Sequence, residues 1–384
     1  MKPVDVVVIG GGILGACISY YLALGGYRTV VLEQGDAASG ASGANLGQIS
    51  ILDRYQSWHL RLARETLAIY RDIKDGDIQY CQSGGSAALM DQEQLHAAWK
   101  YKETLEKQGV PVEIADDDRI SQWEPFFRRD SALAVAYCPL EGKLNPLYTT
   151  LYFHKKAKAL GVELYTHSPV IALDTERGRI TAVRCPEREL RPRWVVNAAG
   201  SWAAAAGALA GAEIPLRFHR GTALVTESLP PCIRGPMVGG GFLLPAGTFR
   251  EKRHIAFGVA QGGDGGVVIG QVTEESPLGS RDITLRGLTL MAARFLRHFP
   301  SLKPADVLRI WAAVTPYTED GLPVYGFSKN VQNLFTAAGF KGAFTTAPAV
   351  GKRLPGDLAG APLDDDWRSF SPDRKKKGEL HGCN

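Results

Sequence analysis

The strongest constraint on this chain lies in its first thirty-three residues. Residues 4–9 read VDVVVI, a short apolar and β-branched run suited to a strand buried on both faces. Gly10, Gly12 and Gly15 follow at once in G-x-G-x-x-G spacing and open a helical stretch at 13–24 that Gly25 and Gly26 can cap. A second strand, 28–32, ends at Glu33. Each piece has a physical task. Gly10 makes the tight turn, Gly12 lets the backbone touch a pyrophosphate, and Gly15 lets the helix pack closely on the strand. The helix N-terminus, with Ile13 and Leu14 in its first turn, supplies amide donors and a positive dipole end to phosphates. Glu33 stands where a carboxylate accepts from ribose hydroxyls. The unit predicts dinucleotide binding in an α/β layout with a parallel sheet.

An acid at the end of the second strand disfavours a 2′-phosphate, which leaves FAD and NAD. Residues 39–48, SGASGANLGQ, are small and polar and follow the acid within a few residues. Such a loop lets further amides approach a bulky cofactor, although a plain surface loop has the same composition.

Composition narrows the function classes. The chain has 384 residues, enough for two or three domains, with a hydrophobic share of 45% and a charged share of 22%, as in a soluble globular protein. Its 43 glycines, about 11% against a usual 7%, fit repeated close backbone approaches. A net charge of +4 is too small to suggest a nucleic-acid surface, and the basic run 374–377 reads as a solvated tail. The six cysteines are too widely spaced for a CxxC or zinc pattern, and the eight histidines show no metal spacing or paired acid. No metal site and a reduced, cytoplasmic chain are therefore expected. Asp5 and the early glycines interrupt what could be mistaken for a signal peptide. No segment offers 18 uninterrupted apolar residues for a membrane span.

Further along, 195–202 reads VVNAAGSW, 311–323 reads WAAVTPYTEDGLP, and 338–342 reads AGFKG ahead of Ala347 and Pro348. With the G-G-G-x-x-G, E-x-G and G-A-S-G-x-N-x-G segments, these resemble the D-amino-acid oxidase, glycine oxidase and sarcosine oxidase family of flavoenzymes. The resemblance covers almost the whole chain, including Phe370 to Arg374, and is similar in part to the β subunits of dye-linked opine, proline or hydroxyproline dehydrogenases. It implies FAD, not NAD. It also implies a glutathione-reductase-type, Rossmann-like FAD domain joined to an antiparallel-sheet, α+β substrate domain. The cofactor-binding positions it implies are Gly10, Gly12, Ile13, Leu14, Gly15, Glu33 and Gln34. From the following loop come Ser39, Ala41, Ser42, Gly43, Asn45, Gly47 and Gln48. Later positions are Val170, Ala198, Ala199, Gly200, Trp202, Gly339, Phe340, Lys341 and Gly342.

The expected layout is interleaved. Residues 1–80, 143–212 and 317–384 would build the FAD domain, and 81–142 and 213–316 the substrate domain. No linker composition marks these boundaries. Patterning predicts helices at 60–74, 92–108, 146–160 and 285–297. It predicts strands at 162–165, 170–174, 180–184, 194–198 and 307–314, with an antiparallel sheet over 216–269.

The resemblance further implies hydride transfer to flavin from carbon bonded to nitrogen, with the imine hydrolysed in water. A helix beginning at 339–342 would aim its amides at the flavin N1 and O2 edge, where Lys341 could add a positive charge. The substrate side departs from the family pattern. Thr315 stands where glycine-oxidase-like members have a carboxylate-clamping Arg, and Gly258 where a pocket tyrosine is common, which suggests a pocket opened by missing side chains. Arg54 is the candidate replacement cation. Ala313 near the T-x-D segment, and no His before position 59, imply noncovalent FAD. Three readings stay open: an amine, imino-acid or amino-acid oxidoreductase passing electrons to a partner subunit or acceptor; a noncatalytic flavin-bearing subunit of a larger complex; and a flavoenzyme acting on 2-hydroxy acids.

Overall fold

In the computed structural model, strand β1 (Val4–Ile9) lies between β2 (Thr29–Leu32) and the strand Pro192–Asn197, parallel to both. The structure describes residues 4–54, 56–73, 76–244 and 253–374, with only the backbone at 253 and 254. Val6, Val7 and Val8 are fully buried, as a strand covered on both faces requires. The six-stranded sheet runs Val324–Phe327, Leu334–Ala338, Pro192–Asn197, β1, β2, Glu163–Tyr165. Only its first pair is antiparallel. Helix α1 (Ile13–Leu24) packs on the helix Ala347–Leu358 so closely that a Cβ added to Gly351 would come within 2.8 Å of the Cys17 carbonyl carbon. A three-stranded antiparallel sheet (Ala172–Glu176, Arg179–Cys185, Arg188–Leu190) buries Leu173, Ile180 and Val183 against Val7, Ile9 and Leu32.

These elements form one compact unit, Met1–Gly43, Thr150–Phe218 and Thr315–Asn384; the other unit is Ala44–Thr149 and His219–Val314. In the second, an eight-stranded sheet runs Val307–Tyr317, Arg217–Ser228, Gly266–Glu275, Arg253–Gln261, Met237–Gly239, Gly85–Leu89, Ala134–Cys138, Glu113–Ala115. Met291 and Phe295 of the helix Leu285–His298, with Phe299 beyond it, join Phe257, Val259 and Ile269 in one apolar cluster. The chain is thus an α/β unit and a unit built on a largely antiparallel sheet with one parallel pair, Met237–Gly239 with Gly85–Leu89.

One of the four unit boundaries falls in the loop at Gly43, and the other three fall inside regular elements, within the helix Pro146–Ala159 and the strands Arg217–Ser228 and Val307–Tyr317. That is why no linker composition marks them. Residues 44–80, expected with the FAD domain, lie in the second unit. The strand Gln48–Ile49 pairs there with Gly142–Lys143, and Glu141 accepts from the Ile51 and Leu52 amides. The sheet also extends beyond the expected 216–269: Met237–Gly239 pairs in parallel with Gly85–Leu89, which continues antiparallel through Ala134–Cys138 to Glu113–Ala115. Arg374 is no part of a solvated tail: its Nε and Nη2 donate to the two carboxylate oxygens of Asp320 at 2.7 and 3.0 Å. The rest of that basic run, 375–377, lies outside the described residues.

Candidate functional site

Steric room and, at Gly10, backbone conformation select glycine at the turn from β1 to α1. Gly10 has φ +110°, and a Cβ there would lie 2.6 Å from the Ala198 carbonyl oxygen. A Cβ on Gly15 would lie 2.0 Å from the Gly10 oxygen, so any larger residue would lever the helix off the strand. Gly12 is the N-cap of α1 in extended conformation, and a Cβ there would meet the Ser42 hydroxyl at 2.8 Å. The first intrahelical bond runs from the Ala16 amide to the Gly12 carbonyl, so the helix leaves over the amides of Gly12, Ile13, Leu14 and Gly15. Ile13 donates to Ser42 Oγ at 3.0 Å. Ser42 is therefore a helix cap as well as a loop residue, and a hydroxyl that accepts there can still donate elsewhere.

Glu33 ends β2 as expected, but its carboxylate also braces the turn. Its Oε2 accepts from Gly11 N at 2.6 Å and its Oε1 from Gly35 N at 2.8 Å. Each oxygen keeps a lone pair for ribose hydroxyls. Gly11 is held at its other end too, its carbonyl accepting from Ala38 N at 3.1 Å and facing His154 Nε2 at 2.9 Å.

The loop after β2 is built by turns. A Cβ on Gly35 would meet Ser39 Oγ at 2.8 Å, and one on Gly43 the Ala38 oxygen at 2.5 Å. Gln34 is exposed at its start, and Ala41 is half-buried within it. On the adjoining strand, Asn197 is fully buried, donating from Nδ2 to the Ala203 carbonyl and accepting from Ala199 N. That fixes the turn Ala198, Ala199, Gly200, with Trp202 in the 3-10 segment Gly200–Trp202 and its ring 3.8 Å from where a Cβ on Gly40 would stand. Val170 packs on the cluster beneath the sheet.

The segment 339–342 differs from expectation. Gly339 and Gly342 have φ +71° and +62°, and Phe340 is buried. The α-helix does not begin there: a 3-10 turn, Ala343–Thr345, intervenes, and the helix starts at Ala347 with a proline in its first turn. Lys341 is exposed.

In the second unit, Asn45 Oδ1 accepts from Gly47 N, and Gly47 takes φ +75°. Gln48 Nε2 donates to the Val259 carbonyl at 3.1 Å and would stand 3.3 Å from a Cβ on Gly258. The room left by the missing tyrosine is thus partly filled by Gln48. Arg54 is buried, with Nη1 2.9 Å from Asp53 Oδ2. Glu141, which holds Ile51 and Leu52 just before it, is pushed up to about 7 by burial, opposed by those two amide bonds. Thr315 is exposed.

A turn in which a Cβ at Gly10, Gly12 or Gly15 would collide and one at Gly11 would be tight, ahead of a helix N-terminus, fits the pyrophosphate of FAD, and Glu33 fits its ribose. The structural role of His154 was not legible, because a lone histidine inside a helical stretch carries no spacing signal.

The model of one family, the FAD dependent oxidoreductase (DAO) family, matches residues 5–354. Among curated relatives, an opine oxidase subunit of Agrobacterium tumefaciens (strain Ach5) is 26% identical over 396 residues, covering 97% of this chain and 98% of that protein. Among solved structures, L-proline dehydrogenase from P. horikoshii matches with a TM-score of 0.86 and 25% identity over 97% of each chain. Glycine oxidase from Geobacillus kaustophilus shares the fold, with a TM-score of 0.87 at 20% identity, over 98% of this chain and 100% of that one.

Proposed function

The chain belongs to the DAO family of FAD-dependent oxidoreductases, and from that premise we propose that it oxidises the C–N bond of an amino acid, imino acid or secondary amine. FAD, when bound, supplies the hydride acceptor. The released imine hydrolyses in water, and the electrons pass to a partner subunit or another acceptor. The observation that carries this reading is the glycine turn, which leaves backbone amides and no Cβ where a pyrophosphate must lie.

Two relatives that match over nearly their full length are named for an opine oxidase subunit and a proline dehydrogenase. Both names point to nitrogen-bearing substrates, and the first to a hetero-oligomer. Arg54, as the cation for a substrate carboxylate, and Lys341, beside the electron-rich edge of the flavin, belong to the same reading. So do noncovalent FAD, the interleaved FAD and substrate domains, and a reduced, cytoplasmic setting. The five described cysteines are all free, which supports the last.

The test is an anaerobic flavin-reduction screen across glycine, sarcosine, proline, hydroxyproline and opines, with 2-hydroxy acids alongside, followed by an oxygen challenge. Bleaching by an amine with slow reoxidation in air is the expected result. Bleaching by 2-hydroxy acids alone, or by none of these compounds, would overturn the proposal.

A further inference from the structure

Gly11 has both of its backbone polar groups committed inside the protein. Its amide donates to Glu33 Oε2 at 2.6 Å, and its carbonyl accepts from Ala38 N at 3.1 Å. The same carbonyl oxygen stands 2.9 Å from Nε2 of His154, a residue 143 positions away on the helix Pro146–Ala159. A carbonyl oxygen can only accept, so Nε2 carries the proton and donates. The imidazole is buried, and burial lowers its pKa, opposed by the Gly11 carbonyl and by Glu33. It serves neither the proposed oxidation nor any metal cluster among the described residues.

The consequence follows from peptide geometry. The carbonyl of Gly11 and the amide of Gly12 belong to one planar, trans peptide, so they point in opposite directions. Two donors gripping the oxygen from one side therefore aim the Gly12 N–H out of the other. That N–H is one of the first-turn donors α1 leaves over, at the end of the helix where an anion is favoured. Ala38 alone would hold the oxygen by a loop residue in left-handed conformation (φ +64°). His154 holds it from a fourteen-residue helix.

We propose that His154 is a positioning residue for the cofactor: by donating from Nε2 to the Gly11 carbonyl, it locks the peptide whose other end presents the Gly12 amide to the pyrophosphate of FAD. The inference rests on the family's use of FAD and is independent of which substrate is oxidised.

Two variants of the full chain isolate the hydrogen bond. His154→Gln places an amide N–H near the position of Nε2, while His154→Leu fills the space without a donor. Apoprotein of each is titrated with FAD, followed by flavin fluorescence, and its thermal midpoint is measured without FAD. His154→Leu should bind FAD about five- to tenfold more weakly, the worth of one net hydrogen bond. His154→Gln should bind within about twofold of the parent, and amide hydrogen exchange at Gly12 and Ile13 should be faster in the leucine variant than in the glutamine one. Parental affinity in His154→Leu would overturn the proposal, and so would equal weakening in both variants, since packing and not donation would then be responsible. Failure of the parent chain itself to bind FAD would instead overturn the cofactor assignment beneath it.

Discussion

Arg54 sits with 3% of its surface exposed and its Nη1 2.9 Å from Asp53. Truncating it would empty a buried site and remove the cation beside the half-buried Asp53 carboxylate, so an alanine variant would report folding as much as binding. Arg54→Lys keeps the charge and loses the planar fork. In the proposed role it should raise KM for carboxylate-bearing amines about tenfold, the loss of one charged hydrogen bond, with flavin content unchanged. An equal KM change for an amine without a carboxylate would remove Arg54 from the substrate site. An arginine six residues after the 39–48 loop, where the family resemblance implies a substrate cation, made Arg54 a candidate. Its burial and its pairing with Asp53 depend on the loop that Glu141 holds, which local pattern does not encode. The same is true of Gly258, where a missing side chain suggested an opening and Gln48 partly fills it.

At the scale of elements, the join of β1 to α1 is an exclusion of volume. The 2.0 Å approach of a Cβ at Gly15 to the Gly10 oxygen is backbone against side chain, which cannot relax by a rotamer change. Gly15→Ala should therefore displace the helix, lower the thermal midpoint and lose FAD together; a variant with parental flavin content and midpoint would contradict this account of the turn. β1, ended by Gly10, and β2, ended by Glu33, were legible because short β-branched runs bounded in this way suit a strand buried on both faces. Gly85–Leu89 and Ala134–Cys138 were not. They read GSAAL and AVAYC, alanine-rich with little β preference, and become strands by pairing with each other and with Met237–Gly239. The helix expected at Gly339 starts at Ala347 because two left-handed glycines and a 3-10 turn precede it.

For the whole molecule, buried titratable groups set how stability depends on pH. Burial pushes Glu124 and Glu141 up to about 7, while both accept backbone amides. An unfolded chain releases these protons near pH 4.5. Between there and pH 7 the native state holds protons that the unfolded state has lost, so stability falls as pH rises, by about 1.4 kcal/mol per unit and group at most. His298 acts oppositely: burial, with Arg297, Arg294 and Arg128 adding to it, lowers it to about 4 from 6.5. Its contribution is present above pH 6.5 and lost as pH falls toward 4. Burial lowers His154 and His219 in the same direction as His298, so the carboxyls are read by difference. In a variant with Glu124→Gln and Glu141→Gln, the parent's thermal midpoint relative to the variant's should fall from pH 5.5 to pH 7. A parent-minus-variant difference that stays constant or rises over that range would contradict the burial of these carboxyls in solution.

The glycine turn is the proposed seat of FAD, and flavin content tests that role most directly. The absorbance of the purified chain, read before and after heat denaturation, should show one FAD per chain, released into solution on unfolding. In Gly12→Val, where the Ser42 hydroxyl already stands 2.8 Å from the first added carbon, flavin should be absent after reconstitution, while far-ultraviolet circular dichroism remains that of a folded protein. A colourless parent chain that cannot be reconstituted, or a Gly12→Val variant with parental flavin content, would contradict the account.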